Sequence, residues 1–298
     1  MMADTAESTP YVGQSLRRRE DLKFVTGNGH YVDDIKLPGM LNLAILRSPH
    51  AHALIAGVDL SAARAAAGVH LALAGADLTG KIGYIKPNWV VPGTVVPDRP
   101  VMAVDRVRFV GECVALVVAD TREAAHDALE LIDVAYEALP AVIDEEAAIA
   151  EGASQLHKNV PSNITTYFKT GGDYAAAAPQ ADQVLRLRLV KQPAPSDLPR
   201  NPCHSCGTRY RWRGDDLSAG PGAAHAPALD RQDGRYSGTS VARGCAGHRR
   251  RFRAKMHLYP EELLCAWLAR ELKSLVKWRE SRSESHQATS HGQAPLLQ

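Results

Sequence analysis

The chain has 298 residues, 45% of them hydrophobic, and a formal net charge of +2 at pH 7. That length allows one large domain or two ordinary ones, and the near-neutral charge excludes a chain that binds nucleic acid or an acidic membrane over its whole surface. The polar start MMADTAESTP lacks a secretory pattern, the longest apolar run (Cys113 to Ala119) is far short of the roughly 20 residues of a membrane span, and five scattered cysteines are no disulfide framework, so the expected compartment is a reducing cytoplasm.

Residues 1–10 are expected to be disordered. From residue 11 to about 192 strands alternate with short helices, and this stretch is expected to fold as a unit. Met40 to Ser48 is apolar and follows the turn signal Leu37-Pro38-Gly39, so it predicts a strand. Leu54 to Asp59 predicts a second. Ser61 to Ala67 predicts a short helix with Ser61 as N-cap and Gly68 at its stop. Val69 to Ala74 predicts a third strand. Val107 to Ala119 is the strongest buried-strand pattern, with Gly111 as a bend or bulge. Asp120 is expected to cap the next helix, with Glu123 completing a capping box. Ala124, Ala125, Ala128, Leu129 and Ile132 share one face of that helix. Ile132, Val134 and Tyr136 then alternate with polar neighbours until Leu139-Pro140. Val184 to Val190 alternates cleanly and predicts a half-exposed strand.

The composition changes at residue 193. Pro193 to Arg253 holds only five residues among Leu, Ile, Val, Phe and Met (Leu198, Leu217, Leu229, Val241, Phe252) against eleven arginines. So little apolar surface cannot offset the cost of ordering a chain, and disorder is expected there. Ordinary patterning returns near residue 255. Pro260 suits the first turn of a helix whose buried face is Leu263, Leu264, Trp267, Leu268 and Leu272, and Glu261 and Glu262 favour the positive end of its dipole. Lys273 sits at the far end. Leu275 to Trp278 predicts a strand.

Four constellations invite a chemical reading. Cys203, Cys206, Cys245 and His248 are a donor set that zinc accepts, but the 38 residues between the halves are loose spacing in a stretch rich in Cys, His and Arg throughout, and chance is the better reading. The run His248 to Arg253 is basic enough to bind phosphate, yet has no periodic aromatic partners and reads better as an unstructured basic run. His50 and His52 stand two apart with no Cys, Asp or Glu at ligand spacing, which favours a loop between strands over a metal pair. Glu112 and Asp120 have no reason to converge as a carboxylate pair, and Cys113 reads as core rather than nucleophile. No metal site and no catalytic residue is assigned from the residues themselves.

Three runs in fixed order carry a resemblance: Gly27-Asn28-Gly29-His30-Tyr31-Val32-Asp33-Asp34, Leu37-Pro38-Gly39-Met40-Leu41, and Leu46-Arg47-Ser48-Pro49-His50-Ala51-His52-Ala53. Val107 to Glu112 and Val134 to Val142 continue it. Together they resemble the opening of the molybdopterin-binding large subunit of the xanthine dehydrogenase/aldehyde oxidase family, most of all the aerobic carbon monoxide dehydrogenase group. Lys255 to Glu262, Val276-Lys277-Trp278 and Ser281 to Glu284 resemble that family's first molybdopterin-binding domain. The resemblance implies an α/β (α+β) fold: a hammerhead domain over residues 11–145, then an incomplete first molybdopterin-binding domain over 146–298, aberrant and disordered at 193–253.

By the same resemblance the whole protein is a molybdenum-dependent oxidoreductase. Its large subunit works with an iron–sulfur small subunit and an FAD-binding medium subunit on a small-molecule substrate, with no nucleic acid. Its base is a glutamate near the end of the large subunit, beyond this chain, so no catalytic residue is carried over. The family's glycine-rich cofactor loop falls on Arg249 to Lys255, where Phe252 and Lys255 are the surviving cofactor-binding candidates. Arg249, Arg250, Arg251 and Arg253 stand where glycines would let a backbone approach the cofactor. The molybdenum–molybdopterin cofactor is therefore not expected to be retained, and the chain alone is expected to be inactive. The other reading open at this point is a non-enzymatic binding protein with a zinc-binding or nucleic-acid-binding basic segment.

Family-like sequence on both sides of residues 193–253 points to a shift of reading frame within them. Translating the coding DNA of that stretch in the other two forward frames is expected to give apolar alternation, a Gln-containing loop and a glycine-rich loop near Phe252. Two frames without these features would refute the shift.

Overall fold

A computed structural model of the chain describes residues 13–15, 17–18, 21–29, 32–87, 90–167, 171–190, 203–207, 242–243, 258–288 and 296–297. Its strands, in chain order, are β1 (Leu41–Arg47), β2 (Ala53–Asp59), β3 (Val69–Ala74), β4 (Arg106–Val107), β5 (Cys113–Ala119), β6 (Asp133–Ala138), β7 (Leu189–Val190), β8 (Cys203–Gly207), β9 (Ala242–Arg243), β10 (Val276–Arg279) and β11 (Leu296–Leu297). They form a six-stranded sheet in the order β3-β5-β1-β10-β8-β9, a three-stranded sheet β4-β2-β6 and a pair β11-β7. In the large sheet only β1 and β10 run parallel, with Leu43 opposite Trp278. Parallel neighbours need a crossover, and here it joins strands more than two hundred residues apart in the chain.

The large sheet is covered on both faces, and the period of two in β1 and β5 shows how. Leu41, Leu43 and Ile45 of β1 join Leu116 and Val118 of β5 in a cluster with Leu264 and Leu268 of the Pro260–Glu271 helix and with Val276 and Trp278. Ala44, Val117 and Ala119, the alternate positions, pack instead on Ala125, Ala128 and Leu129 of the Arg122–Leu129 helix. All seven residues of β5 are buried, as a central strand between two layers requires. One face of the N-terminal sheet is thus closed by residues 258–288, so the core is not complete within residues 11–192.

Several local expectations are corrected. Ser61 does not cap its helix; Leu60 holds that position, and the Asp59 carboxylate accepts the Ser61 backbone N–H instead. Asp120 does not cap the next helix; Thr121 does, its hydroxyl accepting from Ala124 N at 3.1 Å, while Asp120 faces His70 at 2.7 Å. The predicted strand 107–119 is two strands in different sheets, because the turn through Gly111 (φ +94°) redirects the chain between β4 and β5. Of Val184 to Val190 only Leu189–Val190 is strand, paired with Leu296–Leu297. Composition argued against regular structure in 193–253, yet Cys203–Gly207 lies antiparallel to β10. Its backbone is paired on both sides, with β10 and with β9, and backbone pairing asks nothing of side-chain hydrophobicity.

Candidate functional site

Two distant stretches of sequence meet at one buried ionic cluster. β1 is apolar until its last residue, Arg47, which sits at a register shift opposite Cys113 and is almost fully buried. Its Nη2 lies 2.7 Å from Glu261 Oε1, in the first turn of the Pro260–Glu271 helix. Its Nε lies 2.9 Å from Glu284 Oε1, in the Arg282–Ala288 helix. Its Nη1 donates to the Gly111 carbonyl at 3.1 Å and approaches Cys113 Sγ at 3.6 Å. The guanidinium fork matches these several acceptors, which a lysine ammonium would not.

Burial opposes the charge on Arg47, but the carboxylates of Glu261 and Glu284 outweigh it and raise the guanidinium above its ordinary value. Burial also pushes the Cys113 thiol far up, reinforced by Glu261 and opposed by Arg47. The thiol is therefore protonated and is no nucleophile, as its place in the strand suggested. Glu261 Oε2 is buried without a hydrogen-bond partner. A small crevice opens over the cluster, lined by Arg47, Arg99, Phe109, Gly111, Pro260 and Glu261.

The neighbouring loop is fixed by two further pairings. Glu112 accepts the Arg108 backbone N–H at 2.6 Å and pairs with its guanidinium at 3.6 Å. Burial raises the Glu112 carboxyl, with Arg108 opposing. A Cβ on Gly111 would meet Gln287 backbone and side-chain atoms at 3.0–3.1 Å, at a φ that side chains rarely adopt. Gly111→Ala is therefore expected to destabilise the fold by about 1–3 kcal/mol and to loosen the Arg282–Ala288 helix. Urea denaturation of the two proteins checks this, and unchanged midpoints would contradict it.

A second junction joins the resemblance motifs themselves. Lys277 Nζ in β10 donates to the Asp33 carbonyl at 2.6 Å and lies 3.3 Å from its carboxylate, while Arg279 reaches the same carboxylate at 3.0 Å. The Val32–Asp34 turn and β10 are thus one structural unit.

The other candidates fall apart in space. His52 is buried, and its Nδ1–H donates to the Pro140 carbonyl at 2.9 Å. His50 stacks at a tilt on Tyr136, ring centroids 4.8 Å apart. Neither arrangement is a metal pair. Glu112 pairs with Arg108 and Asp120 with His70, so the two carboxylates serve separate partners. Cys203 and Cys206 lie within β8, a strand rather than the tight turn of a zinc knuckle. Cys245, His248, Phe252 and Lys255 lie outside the described residues, as do residues 1–10. Among the described residues no three His, Cys, Asp or Glu side chains converge in a way that could hold a metal ion, and no helix is long and apolar enough to cross a membrane.

Sequence reasoning missed the Arg47 cluster. It placed Arg47 beside a loop and Glu261 on a helix dipole. The available signal was an arginine ending an otherwise apolar strand, which burial would oblige to find carboxylates.

Comparison with known proteins gives this geometry a context. Residues 26–140 match the family model described as aldehyde oxidase and xanthine dehydrogenase, a/b hammerhead domain. The nicotine 6-hydroxylase large subunit of Paenarthrobacter nicotinovorans is 32% identical over 287 residues, covering 94% of this chain and 34% of the relative. The carbon monoxide dehydrogenase large chain of Afipia carboxidovorans is 40% identical over 163 residues, 55% of this chain and 20% of the relative. Quinoline 2-oxidoreductase from Pseudomonas putida 86 superposes with a TM-score of 0.81 at 30% identity, over 95% of this chain and 36% of that one. The chain thus spans about a third of the length of the nicotine 6-hydroxylase subunit and of the superposed structure.

Proposed function

The chain belongs to the aldehyde oxidase and xanthine dehydrogenase family, and from that premise we propose that it is the opening part of a molybdenum hydroxylase large subunit. On this reading residues 11–145 are the hammerhead and residues 146–298 begin the first molybdopterin-binding domain. The observation that carries it is the parallel pairing of β1 with β10, locked by Arg47 and Lys277. It seats the residues that resemble a cofactor domain directly against the hammerhead strand.

The reaction proposed for the whole protein is oxidative hydroxylation of a small molecule, with electrons passing to an iron–sulfur small subunit and an FAD-binding medium subunit in the cytoplasm. Molybdopterin, when bound, would supply the redox-active metal. The Arg47 cluster does not fit that group: every nitrogen of its guanidinium is already held, by Glu261, Glu284 and the Gly111 carbonyl, which leaves none for an anionic cofactor phosphate. No step is derived through it. The proposed contacts are Phe252 and Lys255, and the arginines around Phe252 would crowd a close backbone approach. What the cluster does is positional. It fixes the start of the Pro260–Glu271 helix, five residues after Lys255, to β1.

Co-expression tests the reading. A tagged chain expressed with the iron–sulfur and FAD-binding subunits of a carbon monoxide dehydrogenase is expected to retain them on purification, with flavin and iron–sulfur absorbance in the eluate. Elution of the chain free of both chromophores would contradict a large-subunit role.

A further inference from the structure

Among the described strands β3 stands at one end of the six-stranded sheet, with β5 on its inner side. Its sequence VHLALA holds five aliphatic residues and no Lys, Arg, Asp or Glu. An uncharged apolar strand with an open edge is a template on which another extended chain can pair. Every second residue of such an edge turns both its N–H and its C=O away from the sheet, and those groups need partners. The flanking chain supplies them. Arg64, in the Ser61–Ala65 helix just before β3, donates from Nε to the Ala72 carbonyl at 3.0 Å. Asp77, in the Gly75–Leu78 turn just after it, accepts the Ala74 N–H at 2.9 Å through Oδ2. The same Oδ2 lies 3.4 Å from Arg64 Nη2, so the two side chains close over the edge as one ion pair. At the other end of the strand the register slips between Val69 and Leu71, which leaves His70 as a bulge. Asp120 pins that bulge: its Oδ1 lies 2.7 Å from His70 Nε2, and its N–H donates to the Gly68 carbonyl at 2.9 Å.

We infer that Arg64 and Asp77 guard this edge: they occupy outward backbone groups of Ala72 and Ala74 and so keep β3 of a second copy of this chain from adding to the sheet. The positions of the two contacts carry the inference. Ala72 and Ala74 stand two apart in unbroken register with Val117 and Ala115, so both face outward, and the bulge interrupts the edge before them. A strand arriving here would have to displace a guanidinium from one residue and a carboxylate from the next but one. The pair itself, 53% and 39% exposed, adds little to stability through its charges. Its effect is on what can pair with β3. The partner it excludes is self-complementary, because two antiparallel copies of VHLALA set apolar side chains against each other with no like charges to keep them apart. The inference stands apart from the large-subunit reading and needs no cofactor.

The test compares the full chain with a double variant, Arg64→Ala with Asp77→Ala, that removes both guards. A triple variant adds His70→Lys, which puts a charge on the edge strand itself. Light scattering over a concentration series reads size, and hydrogen exchange reads the Ala72 and Ala74 amides. The unaltered chain should show no association through β3. The double variant should keep its circular dichroism and self-associate at least about tenfold more tightly. Its Ala72 and Ala74 amides should slow about tenfold as concentration rises. Adding His70→Lys should reverse the association. Three results overturn the inference: a folded double variant no larger than the unaltered chain at any concentration, association that leaves Ala72 and Ala74 unprotected or survives His70→Lys, or an unaltered chain whose β3 amides already slow with concentration. If the double variant does not fold, Arg64→Met, which keeps the aliphatic stem and loses the donors, is measured in its place. Arg64→Met that stays at the size of the unaltered chain likewise overturns the inference.

Discussion

Arg47→Ala is expected to cost about 3–5 kcal/mol, the loss typical of a buried ion pair deprived of one partner. The substitution leaves Glu261 and Glu284 facing each other, with side chains only 3% and 14% exposed, and strands the Gly111 carbonyl. It also cuts the tie between β1 and both helices of residues 258–288. A domain of this kind holds about 5–15 kcal/mol in total, so the variant should be largely unfolded near physiological temperature. Arg47→Lys should recover little, because the donors of a compact ammonium sit on one nitrogen and cannot span the separate positions that Nε, Nη1 and Nη2 of the planar fork reach. Adding Glu261→Gln and Glu284→Gln to Arg47→Ala should recover part of the loss by removing the unpaired charges. Urea denaturation followed by tryptophan fluorescence measures all four proteins, Trp267 and Trp278 lying in the affected core. A loss below about 1 kcal/mol for Arg47→Ala, the scale of an exposed pair, would show that the cluster does not hold the two parts together.

Ala128→Asp is the second large effect. Ala128 is 1% exposed and packs with Ala44, Val117 and Leu129 between the Arg122–Leu129 helix and the large sheet. Aspartate there puts an uncompensated carboxylate among methyl groups, and the expected cost exceeds about 4 kcal/mol. Ala128→Ser, nearly isosteric, should cost far less. Soluble yield and a thermal melt separate the two, and near-identical melts for Ala128→Asp and the unaltered chain would mean that this face is not packed as described.

The periodic elements were legible in the sequence because their apolar spacing is a property of the local chain, whatever they pair with. β1, β3 and the Pro260 helix follow from apolar spacing alone, and the Ala125–Leu129 face follows from helical period. Caps were less legible. Asp59, Asp120 and Thr121 are all competent cap residues, and tertiary partners such as His70 decide which of them is used. Long-range pairing was not legible at all. Nothing local to Arg47 names Glu261, 214 residues away, and nothing local to Val276 says that it lies beside Leu41. β8 escaped for a different reason. Its composition lacks strand character, and its backbone pairs with β10 and β9, strands distant in the chain.

The measurement that bears most directly on the central claim is metal and cofactor content. If this chain supplies only the opening part of a cofactor-binding large subunit, the purified protein after gel filtration should hold no stoichiometric molybdenum. It should likewise reduce no dye with carbon monoxide, aldehydes or N-heterocycles. Near-equimolar molybdenum with substrate-dependent dye reduction would contradict the account, because residues 1–298 would then build the whole cofactor site by themselves.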